Sequence, residues 1–171
     1  MTPEIRKISI RDVSFGIHVV LVEPVNLYGC EIGDNVFIGP FTEIQKKSKV
    51  GNDTRIQSHT FICELVEIGR HCKIGHGVMF INDLFNETKT GESGPASWKS
   101  TRIGDYVSIG SNATILPVTI CDHAVIGAGS VVTKDILEAG IYVGNPARKL
   151  SDTNGESGQA GEPSARKDYK H

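Results

Sequence analysis

The stretch that decides the fold runs from Ile32 to Phe80 and reads IGDNVF, IGPFTE, IQKKSK, VGNDTR, IQSHTF, ICELVE, IGRHCK, IGHGVM, then Phe80. An aliphatic residue returns at every sixth position, through Ile32, Ile38, Ile44, Val50, Ile56, Ile62, Ile68 and Ile74, and Phe80 takes the next slot. Four residues after each aliphatic stands a small or modest side chain: Val36, Thr42, Ser48, Thr54, Thr60, Val66, Cys72 and Val78. That residue is two before the next aliphatic, so in an extended strand the two side chains face one way and the residue between them faces the other. Each hexad therefore reads as one short strand and one corner. Glycine at the second position (Gly33, Gly39, Gly51, Gly69, Gly75) suits a tight bend. Period six fits neither an amphipathic helix nor one long strand. Short strands at a fixed small period point to an all-β solenoid.

The [Ile/Val]-Gly-x-x-small-x pattern resembles the hexapeptide-repeat acyltransferases over residues 26 to 149. The resemblance implies a left-handed parallel β-helix of triangular section, with three hexads per coil and about five to six coils. Residues 1–25, irregular but rich in β-formers, are expected to form cap strands. The β-helix is expected over 26–136, a closing segment over 137–150 and a disordered tail over 151–171, which has no Val, Ile, Leu or Met and is rich in Gly, Ser and charge. The hexads break after Ile81 and resume near Thr101, so 82–101 reads as a loop thrown out from a corner. One later unit, Ile115–Thr119, is a residue short, which is expected to tighten or flatten its corner.

The chain of 171 residues is enough for one domain, and 19 glycines with 6% aromatics suit thin strands and tight corners. A net charge of −2 argues against a broad nucleic-acid surface. There is no apolar run of membrane-spanning length and no signal-peptide pattern, so a cytoplasmic location is expected. The spacings of Cys30, Cys63, Cys72 and Cys121 match no zinc motif, and they read as buried reduced thiols.

With three hexads per coil, residues 18 apart stack. Ser58 then lies under His76, and His59 and His76 share one corner on adjacent coils. Acyl transfer needs a base for the nucleophile's proton and N–H groups facing the developing oxyanion. His59 and His76 are the candidate bases. Asn82, Asp83, Phe61 and Trp98 are the candidate acceptor-binding residues. The family resemblance implies acetyl-CoA as donor, with Gly110, Ser111, Gly127 and Ala128 along the pantetheine arm and Lys134, Arg148 and Lys149 towards its phosphates. The phrase FINDLFNET (80–88) after IGHGVM resembles the sugar-nucleotide N-acetyltransferases of bacterial surface-polysaccharide pathways. That resemblance implies a nucleotide-linked amino sugar as acceptor, and the apolar Phe37, Phe61 and Met79 on the outward positions lead to the expectation of a homotrimer. An O-acetyltransferase on a sugar or small alcohol, a γ-carbonic-anhydrase-like enzyme and a non-catalytic scaffold are the alternatives. The spacing of His71 and His76 suggests the carbonic anhydrases, but Ile81 stands where a further histidine belongs, so no metal is expected. His71 and His123, with Asp53 and Tyr106, fall in a separate corner column that reads as structural or as a subunit contact.

Overall fold

The computed structural model describes residues 9–84 and 98–153. Residues 85–97 of the expected loop and 154–171 of the expected tail lie outside the described residues, as do 1–8.

Every strand is short, from Ile10–Arg11 to Arg148–Ser151, and no helix occurs among the described residues. Successive strands fall on three faces in turn. The first face has 7 strands, the second 6 and the third 8, stacked in parallel except for a closing antiparallel hairpin of Ile141–Val143 with Arg148–Ser151. This is the expected β-helix of hexapeptide repeats, consistent with the left-handed form. The expected five to six coils are too few, since 7 strands stack on the first face. The difference begins at the N-terminal end, where Ile10–Arg11, Ser14–Phe15 and Val20–Leu21 stack on the strands at Asn26–Tyr28, Glu31–Ile32 and Phe37–Ile38.

Register follows the hexads. Glu43 pairs with Phe61 and Phe61 with Met79 on the first face, Glu31 with Lys49 and Lys49 with Glu67 on the second, and Phe37 with Arg55 and Arg55 with Lys73 on the third. Across the insert Met79 pairs with Thr114, Glu67 with Arg102 and Lys73 with Ser108, so all three faces resume in step. The short unit is absorbed at one corner: Ile103 still lies against Ile120 and Ile109 against Ile126.

The inward positions make the core. Ile38, Ile44, Ile56, Ile62, Ile74, Phe80 and Ile115 are fully buried. Full burial of one such side chain stabilises by roughly 1.5–3 kcal/mol. The small inward residues earlier in each hexad include Thr42, Ser48, Thr54 and Thr60, also buried. Their hydroxyls donate to corner carbonyls, Thr42 to Gly39 O at 2.8 Å, Ser48 to Cys63 O at 2.7 Å and Thr54 to Gly69 O at 2.9 Å. A buried hydroxyl without such a partner costs stability.

The second-position glycines serve a different end from the one expected. The left-handed corner residues include Asn35, Phe41, Lys47, Asp53, His59, Leu65 and His71, with φ from 55° to 69°. The glycines are needed because coils approach too closely for a side chain. A Cβ on Gly75 would stand 2.6 Å from Ser111 N, and one on Gly110 2.4 Å from Ala128 N.

Candidate active site

The three corners differ chemically. The corner between the second and third faces carries two columns. One holds Asp34, Asn52, Asp105 and Asp122, whose side-chain oxygens cap the amides of the coil below. Asp34 accepts from Ile17 N, Asn52 from Asp34 N, Asp105 from Arg70 N and Asp122 from Asp105 N, all at 2.8–2.9 Å. The other is a ladder of side chains. Asn35 Nδ2 donates to Asp53 Oδ1 at 3.0 Å, and Asp53 Oδ2 lies 3.7 Å from His71 Nε2. The Tyr106 ring stacks between His71 and His123, at centroid distances of 4.8 and 5.0 Å. The column expected from spacing is therefore a continuous stack.

The corner between the third and first faces holds the two candidate bases. In the place of the capping column it has Pro40, Ser58, His76, Ser111 and Ala128. Among the described residues none of these side chains caps the amide of the coil below. Ser58 Oγ and His76 Nδ1 are instead hydrogen-bonded to each other at 2.9 Å. The stacking continues through backbone bonds from His59 N to Pro40 O, Gly77 N to Ser58 O, Asn112 N to His76 O and Gly129 N to Ser111 O. His59 takes the left-handed position (φ 61°), and its ring stacks on Phe41 with centroids 4.8 Å apart. His59, His76, Gly110, Ser111, Gly127 and Ala128 thus all line one edge, with the histidines below and the glycine-bearing coils above.

The corner between the first and second faces is the root of the insert. Asn82 Nδ2 donates to Glu64 O at 3.3 Å, and Lys99 N donates to Asn82 O at 2.9 Å. Glu64, almost fully buried, pairs with Lys46 Nζ at 3.2 Å. Asn82 and Asp83 stand at this root with Trp98 where the chain returns. Between the root and the histidine edge lies the first face, with Phe61 half-buried and Met79 exposed. Lys134 belongs to the insert side of the triangle, after the first-face strand Val131–Val132. Arg148 and Lys149 lie in the closing hairpin. Lys149 Nζ is held by Glu138 at 3.3 Å and Asp152 at 2.7 Å, which holds its ammonium above the usual lysine range. Arg148 Nη1 donates to Ala147 O at 2.9 Å.

The second face and the remaining histidines are arranged differently. A hollow of about 650 Å³ runs along the second face, but the charges flanking it are mutually paired, Lys49 with Glu31 and Arg102 with Glu67, each at 3.2 Å. Among the described residues, no group of three or more His, Cys, Asp or Glu side chains is placed to hold a metal. His71 and His76 lie on different corners. No described helix is long and apolar enough to cross a membrane.

The profile of the bacterial transferase hexapeptide (six repeats) matches residues 29–64, and that of the hexapeptide repeat of succinyl-transferase matches residues 100–134. The chain is a hexapeptide-repeat protein. Curated relatives of this hexapeptide-repeat chain include the bifunctional protein GlmU of Clostridium perfringens, 36% identical over 113 residues, which is 66% of this chain and 22% of that protein. GlmU of Acinetobacter baumannii is 35% identical over 128 residues, 74% of this chain and 25% of its own length. The hexapeptide-repeat chain thus spans about a quarter of these curated relatives. Among solved structures it is similar to a mutant of AntD, an N-acyltransferase from Bacillus cereus, in complex with dTDP and coenzyme A. The identity is 26%, the TM-score 0.69, and the match covers 81% of this chain and 83% of that one. A hexapeptide-repeat acetyltransferase from Vibrio cholerae, complexed with acetyl coenzyme A, is 25% identical with a TM-score of 0.63, covering 72% and 70%.

The capping contrast between corners was missed in the sequence reading, although its signal is there. Asp or Asn recurs at 34, 52, 105 and 122, whereas Pro, Ser, His, Ser and Ala occupy 40, 58, 76, 111 and 128.

Proposed function

We propose that this chain is an acyl-CoA-dependent N-acyltransferase that moves an acetyl group from acetyl-CoA to the amino group of a nucleotide-linked amino sugar, working as a homotrimer. The observation that carries the reading is the histidine edge. Its amides lack the Asx caps of the opposite corner, and a histidine held by Ser58 stands among them. Uncapped N–H groups along a straight edge suit the amide-rich pantetheine arm and a thioester oxygen becoming an oxyanion. The resemblance of FINDLFNET to sugar-nucleotide enzymes and the complexes of the structural relatives with coenzyme A and dTDP support the choice of ligands.

In the reaction, the neutral amine attacks the thioester carbonyl carbon. The C–N bond forms, the carbonyl oxygen takes the negative charge, and amides near Ser111 hold it. The amine's proton passes to His76 Nε2, the C–S bond breaks, and the proton ends on the departing thiolate. Ser58 fixes the imidazole through Nδ1, leaving Nε2 for the amine. His59, packed on Phe41, serves as wall. Phe61 forms the floor, and Asn82, Asp83 and Trp98 bind the acceptor from the insert side. Arg148 and Lys149, in the closing hairpin, and Lys134, from the insert side, are the candidate partners of the donor's phosphates, with Lys149 already engaged by two carboxylates.

The test is thiol release from acetyl-CoA in the presence of a panel of nucleotide-linked amino sugars and their hydroxyl counterparts. Acetylation of an amino sugar with one coenzyme thiol released per product supports the reading. Turnover on hydroxyl acceptors alone would replace it by O-acetylation, and turnover with neither would refute it.

A further inference from the structure

We infer that Arg55 and Lys73 hold the diphosphate of the acceptor, so that the substrate is an amino sugar linked to a nucleoside diphosphate rather than to a monophosphate. The inference rests on the proposed reaction, which sets the sugar's amine at His76.

The third face carries the column Phe37, Arg55, Lys73, Ser108 and Val125, one residue per coil and in register. Arg55 and Lys73 are exposed and stand on adjacent coils, roughly 4.8 Å apart along the stack. Like charges directly opposite one another in a sheet are destabilising. The matching column of the second face avoids this by alternation, with Lys49 paired to Glu31 and Arg102 to Glu67, each at 3.2 Å. The third face has no such remedy. Among the described residues, neither Arg55 nor Lys73 has a carboxylate within ion-pairing distance. The acids that flank the face are engaged elsewhere: Asp53 accepts from Asn35 Nδ2 at 3.0 Å, and Asp105 from the Arg70 guanidinium at 2.7 and 3.1 Å. Arg55 lies over the Phe37 ring, 4.6 Å from its centroid, which orders the guanidinium without using its N–H donors.

Two adjacent cations left in this way are matched by an anion from outside the chain. A diphosphate bridging a sugar and a nucleoside fits them with one negative phosphoryl group per cation. Arg55 offers a fork of N–H donors, Lys73 a point charge, and Ser108 a hydroxyl on the next coil. A bridging monophosphate carries a single charge and would leave one cation uncompensated.

Placement selects the acceptor over the donor. Lys73 precedes His76 by three residues and Arg55 precedes Ser58 by three, so both flank the histidine edge at a backbone reach of roughly 10 Å. The donor's arm is set above His76, at Gly110, Ser111, Gly127 and Ala128, whereas Lys73 shares the coil of His76 and Arg55 lies one coil below. An amine on a pyranose ring is one ring's width from the anomeric phosphate. With the amine at His76 Nε2 and the ring against the His59 wall, the diphosphate comes to the third-face side of the edge, within reach of the two long side chains.

The test reads binding alone, which separates it from the chemistry. The Kd values of dTDP, UDP and GDP, of the matching monophosphates and of coenzyme A are measured by calorimetry for wild type, Arg55→Gln, Lys73→Gln, the double variant and Lys47→Gln. Lys47 is an exposed lysine on the corner opposite the third face and controls for net charge. At least one diphosphate should bind wild type, about tenfold or more tighter than its monophosphate. Each single variant should weaken it by roughly tenfold and the double variant by roughly 10²-fold, as expected for hydrogen bonds between charged groups. Coenzyme A affinity in every variant, and diphosphate affinity in Lys47→Gln, should match wild type. A wild type that binds none of the three diphosphates at millimolar concentration, or a double variant that keeps wild-type affinity for them, overturns the inference. So does a loss of coenzyme A affinity in its place, which would give the cations to the donor, or a smaller assembly by light scattering, which would make them a subunit contact. Diphosphate binding that is lost in the double variant, with no acetyl transfer to any amino sugar by wild type, would refute the proposed reaction and leave this subsite standing.

Discussion

His76 Nδ1 and Ser58 Oγ are 2.9 Å apart, one coil above the other, on an edge where, among the described residues, no Asx side chain caps the amides. The contact decides which imidazole nitrogen is free for chemistry. When Nδ1–H donates to the serine oxygen, Nε2 carries the lone pair and can take a proton. His76→Asn should therefore lower kcat and kcat/KM together by about 10²-fold or more. The loss should shrink as pH rises towards the amine's own pKa, where the nucleophile is already neutral. Ser58→Ala, which frees the ring but keeps it, should fall between wild type and His76→Asn. His59→Asn should change KM more than kcat. Wild-type kcat across pH 6 to 9 in His76→Asn, measured by coenzyme thiol release, would show that the leaving thiolate or solvent takes the proton.

The histidine edge was legible in the sequence because the repeat is local. An 18-residue offset places His76 over Ser58 without any knowledge of the fold's interior. The ladder column was legible for the same reason, even though His71 and Tyr106 pair across the insert. The role of the glycines was not legible, because the clash at Gly75 is with Ser111, 36 positions away, and no local rule reports it. The extra coil was hidden by the weak pattern before Asn26, where Ile17, Val20 and Val22 are exposed and no strict hexad constrains them. The engagement of Lys149 was hidden because the closing hairpin lies outside the repeat.

The inter-coil contacts predict a contrast between two glycines of the same edge. Gly110→Ala would place Cβ 2.4 Å from Ala128 N, a backbone atom that cannot swing away. Overpacking of this kind costs about 1–3 kcal/mol, and for a chain of this size each kcal/mol lowers Tm by about 2–4 °C. Gly129→Ala has nothing within 4 Å of its Cβ and only the left-handed φ of 67° to tolerate. It should cost about 1–2 kcal/mol at most, as non-glycine residues already hold this conformation at His59 and Asn112. Thermal melts of the two variants should rank them with Gly110→Ala the less stable. The reverse order would mean that backbone conformation, not coil spacing, sets the glycine requirement.

The capped corner should make stability sensitive to acid. Asp105 accepts from the Arg70 guanidinium at 2.7 and 3.1 Å and from the Arg70 amide at 2.8 Å, and these bonds hold its carboxyl below the usual aspartate range. A folded-state pKa below the unfolded one stabilises the fold above the unfolded value, and that contribution is lost as pH falls through the folded value. Asp105→Asn retains the shape and removes the charge. Its melting temperature should lie below wild type near neutrality, and the two curves should converge as pH drops below the aspartate range. A gap that stays constant with pH would assign the effect to packing rather than to the carboxylate.

The thiols give a reading of the fold that does not depend on any substrate. Cys30, Cys63 and Cys72 are 2%, 3% and 0% exposed. Burial pushes their thiols up to about 11, about 12 and about 11. The thiolate is the reactive species, so near pH 8 only a fraction on the order of 10⁻³ or less of each would be ionised even if a reagent reached it. Cys121 is only partly buried, and burial raises its thiol as well. Alkylation of the native protein should therefore mark Cys121 slowly and leave the other three. Cys72 also donates from Sγ to Gly104 O at 3.1 Å, within the coil stack, so it becomes reachable only when neighbouring coils separate. Its labelling rate should rise with denaturant in parallel with loss of the β signal in circular dichroism. If Cys72 is labelled in the native state as fast as Cys121, the coils around it open locally, and the stack is not the single cooperative unit that its continuous register implies.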